Sequence, residues 1–111
     1  MTDYANAAHA ACESGEFVEA SRWLGLAEKE VGRPRFSSEM WVTCGRVAAQ
    51  LGDSRAALMH LRRAVKAGAT DPARYENDRL LLPLRRERGF QRLLNRLRPG
   101  LLAGSRQAEP S

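Results

Sequence analysis

The chain repeats part of its own sequence at a spacing of 37 residues. In residues 15–27 and again in residues 52–64, a glycine, an acid, an alanine, a leucine and a second alanine recur at the same distances. Upstream of each glycine lie an aromatic residue and a small pair, which are Tyr4 with Ala7-Ala8 and Trp41 with Cys44-Gly45. Self-similarity at a period of about 20–50 residues indicates an array of one supersecondary unit. The chain is therefore predicted to stack copies of such a unit.

The repeated residues predict that each unit is a pair of antiparallel helices. Gly15 and Gly52 end one helix and permit a tight turn into the next, because glycine enters turn conformations without strain. The small residues before and after each glycine let the paired helices approach closely, and the leucine and alanines after it form a helical apolar stripe. We expect helices near residues 3–14, 16–31, 38–50 and 54–67, and one or two shorter helices within 72–98.

Composition excludes a fold based on sheets. The 111 residues include 17 alanines and 14 leucines, but no isoleucine, five valines and three threonines. Residues branched at Cβ are the ones that strands prefer, and a sheet core is improbable with so few of them. The predicted fold class is all-α.

The repeated pattern resembles the tetratricopeptide repeat, in which aromatic and small residues recur over about 34 residues. The matching residues are Tyr4, Ala8, Ala20, Leu24 and Ala27 in the first unit and Trp41, Gly45, Ala57, Leu61 and Ala64 in the second. The resemblance covers residues 2–70, with a link at 31–38 that is three residues longer than usual. It implies helical hairpins stacked as a short right-handed superhelix, with repeats at about 2–35 and 39–70.

A third unit begins at residue 71 and then departs from the pattern. Asp71-Pro72 is typical of a helix start, but Asp78 and Arg79 occupy two positions that should be small and buried. Residues 80–97 resemble the closing segment of bacterial tetratricopeptide-like proteins. We therefore expect a single domain over residues 1–98, in which residues 71–98 form a degenerate cap, and a flexible tail over residues 99–111.

The resemblance also implies a function. In tetratricopeptide arrays the first helix of each pair lines a concave groove that holds a peptide or helix, which predicts a non-catalytic interaction module or adaptor, with a homodimer as one possible assembly. Carried over by position, the groove residues are Ala5, His9, Cys12, Glu13, Val42, Arg46, Ala49 and Gln50. Family members that clamp a C-terminal carboxylate use several lysine, arginine and asparagine side chains at such positions, whereas here only Arg46 and the nearby Asn6 are available, which argues against a carboxylate clamp.

Catalysis and metal binding find little support in the sequence. His9 and Cys12 are three residues apart on one predicted helix, but a closed zinc site needs about four ligands and only Cys44 and His60 remain. Nothing near Cys12 supplies the orienting acid of a nucleophile. Neither a G-x-G-x-x-G segment nor a phosphate-binding lysine loop is present. The sequence therefore predicts no enzyme, no metal and no cofactor.

Charge is distributed unevenly along the chain and leaves a second function open. Residues 1–53 carry five basic and eight acidic side chains, whereas residues 54–111 carry thirteen basic and five acidic ones. A basic half is typical of nucleic-acid binding, but few aromatic residues accompany these arginines for stacking on bases. Sixteen of the eighteen basic residues are arginine, and the codon bias of a GC-rich genome is another explanation of this excess. Nucleic-acid binding is the alternative hypothesis for function.

The expected location is the cytoplasm. No stretch approaches the 18 or so apolar residues that a membrane span requires, and residues 1–4 lack the basic start of a secretory signal. Two cysteines, Cys12 and Cys44, do not make a disulfide framework. The predicted partners are therefore another protein or a second copy of the chain, without a membrane.

Overall fold

The computed structural model describes residues 3–98. This part of the chain contains six α-helices and two short 3-10 helices, and no strand. The α-helices are α1 at Asp3–Glu13, α2 at Phe17–Val31, α3 at Ser38–Gln50, α4 at Ser54–Lys66, α5 at Pro72–Glu76 and α6 at Arg88–Leu97. The 3-10 helices span Arg33–Arg35 and Arg79–Leu84. The predicted all-α class is confirmed, and the bounds of α1 to α4 agree with the prediction to within one residue at each end.

Two helical hairpins, α1 with α2 and α3 with α4, are closed by the same turn. Gly15 has a φ of +80° and Gly52 a φ of +87°, in the left-handed region that suits glycine. After α1, the amide of Glu16 donates to the carbonyl of Ala11 at 2.9 Å, and 37 residues later Asp53 donates to Ala48 at 2.9 Å. Each of these two hydrogen bonds joins the residue after the glycine to the carbonyl five residues earlier, as in a Schellman turn, which satisfies the last carbonyls of a helix. The repeat in the sequence is therefore a repeat of turn geometry.

Side-chain caps fix where the later helices begin. The hydroxyl of Ser37 accepts from the amide of Met40 at 3.2 Å, and the carboxylate of Asp53 accepts from Ala56 at 3.1 Å. Asp71 accepts from the amide of Ala73 at 3.0 Å, as the Asp71-Pro72 pair predicts. Such caps satisfy amides that have no partner within the helix.

Small residues lie where the paired helices come closest. Ala8, Ala20 and Ala57 have no exposed surface, and Gly45 is buried on α3. A methyl group added at Gly45 would lie 2.6 Å from Cδ2 and 2.9 Å from Cγ of Leu61 on α4. The space between α3 and α4 is therefore already full.

The main apolar cluster runs from the second hairpin into the C-terminal segment. Its large members include Trp41, Leu61, Tyr75, Leu81 and Phe90, which are all nearly or fully buried. Their burial removes apolar surface from water, which is the main stabilising term of such a fold. A smaller cluster of Ala11, Cys12, Ala20 and Val47 lies within and beside the first hairpin.

Residues 71–98 form a broken third unit packed on the second hairpin. Helix α5 ends after five residues, with Asn77 as its C-terminal cap residue, and the following 3-10 helix contains Pro83. In α6 the apolar side chains face inward, with Phe90, Leu93 and Leu94 buried. Five arginines of this region are exposed, as the alternation of the sequence predicts, and they are Arg85, Arg86, Arg88, Arg92 and Arg96.

The predicted tail at residues 99–111 lies outside the described residues. Among residues 3–98, none of the helices combines the length and the apolar character that a membrane crossing requires.

We predict that Gly45→Ala lowers the free energy of unfolding by about 1–3 kcal/mol, because the new methyl group overlaps the fully buried Leu61. Gly25→Ala is the matched control. Gly25 also lies within a helix, α2, but no atom lies within 4 Å of its added methyl group. The control should gain about 0.5–1 kcal/mol from helix propensity. Urea denaturation followed by circular dichroism measures both changes, and equal gains in the two variants would contradict the close approach.

Candidate functional site

The eight predicted groove residues divide into an accessible set and a buried set. His9 and Glu13 on α1 are exposed, and Arg46 and Gln50 on α3 are half-buried. The other four are buried, and they are Ala5 (3% exposed), Cys12 (1%), Val42 (3%) and Ala49 (2%). The groove assignment needs correction for Cys12, Val42 and Ala49, which pack within the two apolar clusters, whereas the buried Ala5 lines the notch described below. The α1–α3 face, defined by the exposed and half-buried residues of these two helices, keeps the accessible set.

A later segment of the same chain, at residues 78–84, covers part of the α1–α3 face. The 3-10 helix at Arg79–Leu84 packs on α3, and Leu80 lies against the small cluster that contains Ala11, Cys12 and Val47. The side-chain amide of Gln50 donates to the main-chain carbonyl of Leu80 at 2.9 Å. This segment therefore adds to the burial of the small cluster.

Arg46 joins three parts of the chain through its guanidinium group. Its Nη1 donates to Oε2 of Glu13 on α1 at 2.8 Å, and its Nε lies 2.9 Å from Oδ2 of Asp78. The other oxygen of Asp78 accepts from the amide of Leu80 at 2.9 Å. The hydrogen bond from Arg46 lowers the pKa of Glu13. Arg46 and Asp78 are only 18% and 12% exposed, so solvent screens their attraction less than that of a surface pair.

An open notch of about 140 Å³ remains between α1 and α3, beyond the covering segment. Ala5 and Met40 are its buried apolar residues, and its polar residues are Asn6, His9, Glu39 and Thr43. At one side Arg74 of α5 donates to Oε1 of Glu39 at 2.5 Å, and this hydrogen bond lowers the pKa of Glu39. The notch has room for about one side chain.

The structure does not assemble a catalytic or metal site from His9 and Cys12. His9 is exposed, whereas Cys12 is buried, and burial raises the pKa of its thiol. Cys44 belongs to the other apolar cluster, where burial raises its thiol pKa to about 12. Thiols with raised pKa values are poor nucleophiles and poor metal ligands. Within residues 3–98 no group of three or more His, Cys, Asp or Glu side chains could hold a metal ion.

Sequence reasoning missed a cleft of about 480 Å³ between α2, α3 and α4. It is lined by Leu24 and Glu28 of α2, Cys44 of α3 and His60 of α4, and the Glu28–Arg33 ion pair at 2.8 Å lies at its edge. Gly25 also lines the cleft, and the residue 37 positions later in the second repeat is Arg62. This difference between the repeats could have indicated the cleft from the sequence, since a glycine at position 25 leaves space beside α2.

His60 lies beside this cleft in an environment that disfavours its charged form. Its ring stacks on Trp41 with centroids 5.7 Å apart, and the guanidinium of Arg63 lies 5.3 Å from the centre of the Trp41 ring. Burial, followed by the positive charges of Arg33 and Arg63, lowers the pKa of His60. The Nδ1 atom is buried without a hydrogen-bond partner among residues 3–98.

A second open groove lies between α4 and α6, and we call it the α4–α6 groove. It has a volume of about 490 Å³, and its apolar residues are Met59, Val65, Leu93 and Leu97. Its cations are Arg62, Arg63, Lys66 and Arg96. Helices α4 and α6 together carry seven basic side chains and no carboxylate. Four of these seven basic side chains therefore line one groove together with apolar residues.

Comparison with protein-family models, with curated proteins and with solved structures finds no match to this chain. The likeness to the tetratricopeptide repeat therefore stays a prediction from its sequence.

We predict that Arg46→Gln lowers the free energy of unfolding by about 1–3 kcal/mol, because it leaves the poorly exposed carboxylate of Asp78 without its charged partner. Amide exchange at residues 80–84 should accelerate as the segment loosens. The control is Arg22→Gln, which breaks an exposed Arg–Glu pair whose arginine is 75% exposed. It should change stability by less than about 0.5 kcal/mol. Equal losses in chemical denaturation would exclude a special role for Arg46.

We also predict a loss of stability as the pH falls from about 7 to 5 through the ordinary histidine pKa. Since the pKa of His60 is lowered in the folded state, the unfolded chain takes up its proton first and becomes favoured. His60→Phe, which keeps a ring beside Trp41, should reduce this fall, as measured by urea midpoints at both pH values. The fall should persist in His9→Gln, which removes an exposed histidine and leaves His60 in place. An unchanged slope in His60→Phe would refute the assignment.

Proposed function

We propose that this chain is a non-catalytic protein-interaction module that holds a polypeptide segment of a partner on its α1–α3 face. The observation that supports this most is the chain's own occupation of that face. Arg46 pairs with a carboxylate, that of Asp78, and Gln50 donates to a main-chain carbonyl, that of Leu80. A segment of another protein that presents a carboxylate and a main-chain carbonyl would receive contacts of the same kind. Two of the predicted groove residues therefore contact a polypeptide segment, which here is part of the same chain.

The notch beside this segment is the position proposed for the partner. Its floor is apolar, so a single apolar side chain of the partner would lose unfavourable contact with water there. The side chains of Asn6 and His9 lie at its edge, and both can donate and accept hydrogen bonds to a main chain. Side chain and main chain of a peptide are therefore both accommodated.

A non-catalytic role is supported by the state of the nucleophilic groups. Both cysteines are buried and their thiol pKa values are raised, which keeps them protonated near neutral pH. Structural packing explains both residues without a reaction.

Nucleic-acid binding is the second candidate function. It is favoured by one observation, the seven basic side chains and absent carboxylates of α4 and α6. We rank it second because the α4–α6 groove contains no aromatic side chain on which a base could stack.

The proposal predicts that a photo-crosslinking phenylalanine analogue at position 9, in place of His9, captures a discrete partner in cells. His9 lines the notch and is exposed, so the analogue would lie against a bound segment without entering the core. The matched control carries the analogue in place of Glu30, which is exposed on α2 and does not line the notch. Mass spectrometry of the crosslinked peptide identifies the partner segment or a second copy of this chain. Identical products at both positions, or none at position 9, would refute the proposed site.

A further inference from the structure

We propose that the α4–α6 groove binds an amphipathic helix of a partner protein, in which aspartate and glutamate flank an apolar face. This surface is separate from the notch between α1 and α3. The inference therefore stands or fails independently of the function proposed for that face.

Charge complementarity selects the chemistry of the partner. Arg62, Lys66 and Arg96 border the groove, and none of them forms an ion pair or a hydrogen bond with any of residues 3–98. The carboxylates nearest to these three residues in sequence are those of Asp53, Asp71 and Glu87, each a cap residue that precedes a helix. A partner with carboxylates would neutralise these cations and would be steered to this surface over distance.

The apolar floor requires that the partner also bring apolar side chains. Met59 is 40% exposed and Leu97 is half-buried, whereas Leu93, one turn before Leu97 on α6, is largely buried and only 7% exposed. The lining residues of α4 extend from Met59 to Lys66, which corresponds to about 10 Å of helix. A partner helix with apolar residues at every third or fourth position would present a matching stripe over about two turns.

Helices α4 and α6 approach each other closely at the start of α6. A methyl group added at Gly89 would lie 2.8 Å from Cδ1 of Leu58 on α4. Leu93, Arg96 and Leu97 lie one to two turns further along α6 and line the groove. Since the two helices pack closely at Gly89, the groove beside this contact is already present in the folded chain. Preorganisation of this kind reduces the entropic cost of association.

Other occupants fit the groove less well. Nucleic acid would satisfy the cations but would leave Met59, Leu93 and Leu97 against a polar backbone, with no aromatic ring for a base. The chain's own residues 99–111 contain one arginine and one glutamate, which gives them no excess negative charge. An acidic amphipathic helix complements both the rim and the floor.

The test uses the full chain and a labelled synthetic peptide of about 15 residues, with leucines on one helical face and glutamates elsewhere. Fluorescence anisotropy measures binding at about 0.15 M salt, where surface charges still attract. A scrambled peptide of the same composition spreads the leucines around the helix. We expect binding of the amphipathic peptide and at least about tenfold weaker binding of the scrambled one.

Two matched pairs of variants locate the binding surface. Arg62→Gln with Arg96→Gln removes two charges from the groove, whereas Arg55→Gln with Arg92→Gln removes two exposed charges from the same helices outside it. We expect the first pair to weaken binding about tenfold and the second to change it less than about threefold. Met59→Gln should weaken binding similarly, and Val18→Gln on α2, 68% exposed, is its control. Circular dichroism checks that each variant is folded.

Several results would overturn the proposal. Equal binding of the scrambled peptide would show attraction by charge alone, and equal effects of both arginine pairs would place binding elsewhere. Tighter binding of a labelled single-stranded RNA or duplex DNA, lost in Arg62→Gln with Arg96→Gln, would assign the surface to nucleic acid. A concentration-dependent dimer that Met59→Gln dissociates in sedimentation would assign it to a second copy of the chain. None of these results would affect the crosslinking test at position 9.

Discussion

The close approach of paired helices is the constraint on which the rest of the structure depends. Gly45 lets Leu61 pack against the backbone of α3, and Ala57 has no exposed surface at the same interface. Larger residues at these positions would push α4 away from α3 and displace the surfaces that both helices offer to α6 and to the segment at residues 79–84. The small size of Gly45 and Ala57 therefore sets the positions of α3 and α4, and the surfaces of these helices in turn shape the notch and the α4–α6 groove.

The repeat predicted the helices well because its residues act locally. Gly15 and Gly52 determine the turns through their own backbone freedom, and Asp53 caps the helix that begins beside it. These are interactions between residues close in sequence, which a pattern of spacing can reveal. The resemblance of the early repeats to a known family carried the same information, since it rests on the same small residues.

The candidate site was predicted less well because its contacts join distant residues. Ala5, Cys12, Val42 and Ala49 share helix faces with His9 and Arg46, so spacing alone could not separate buried from accessible positions. The sequence shows that Asp78 and Arg79 depart from the repeat, but it does not show that Asp78 forms an ion pair with Arg46. Asp78 lies 32 residues after Arg46 in the sequence, and only the folded chain brings their charges together. The α4–α6 groove likewise depends on how α6 packs on α4 at Gly89.

The absence of carboxylates from α4 and α6 has an energetic consequence for the fold itself. Arg62 and Lys66 are four residues apart on one helix, as are Arg88 and Arg92, and like charges at that spacing repel. This self-repulsion opposes the folded state, and dissolved anions or a bound acidic partner relieve it. An anion that binds these cations more tightly in the folded chain than in the unfolded one stabilises the fold by linkage. The free energy of unfolding is therefore expected to rise with the concentration of such an anion.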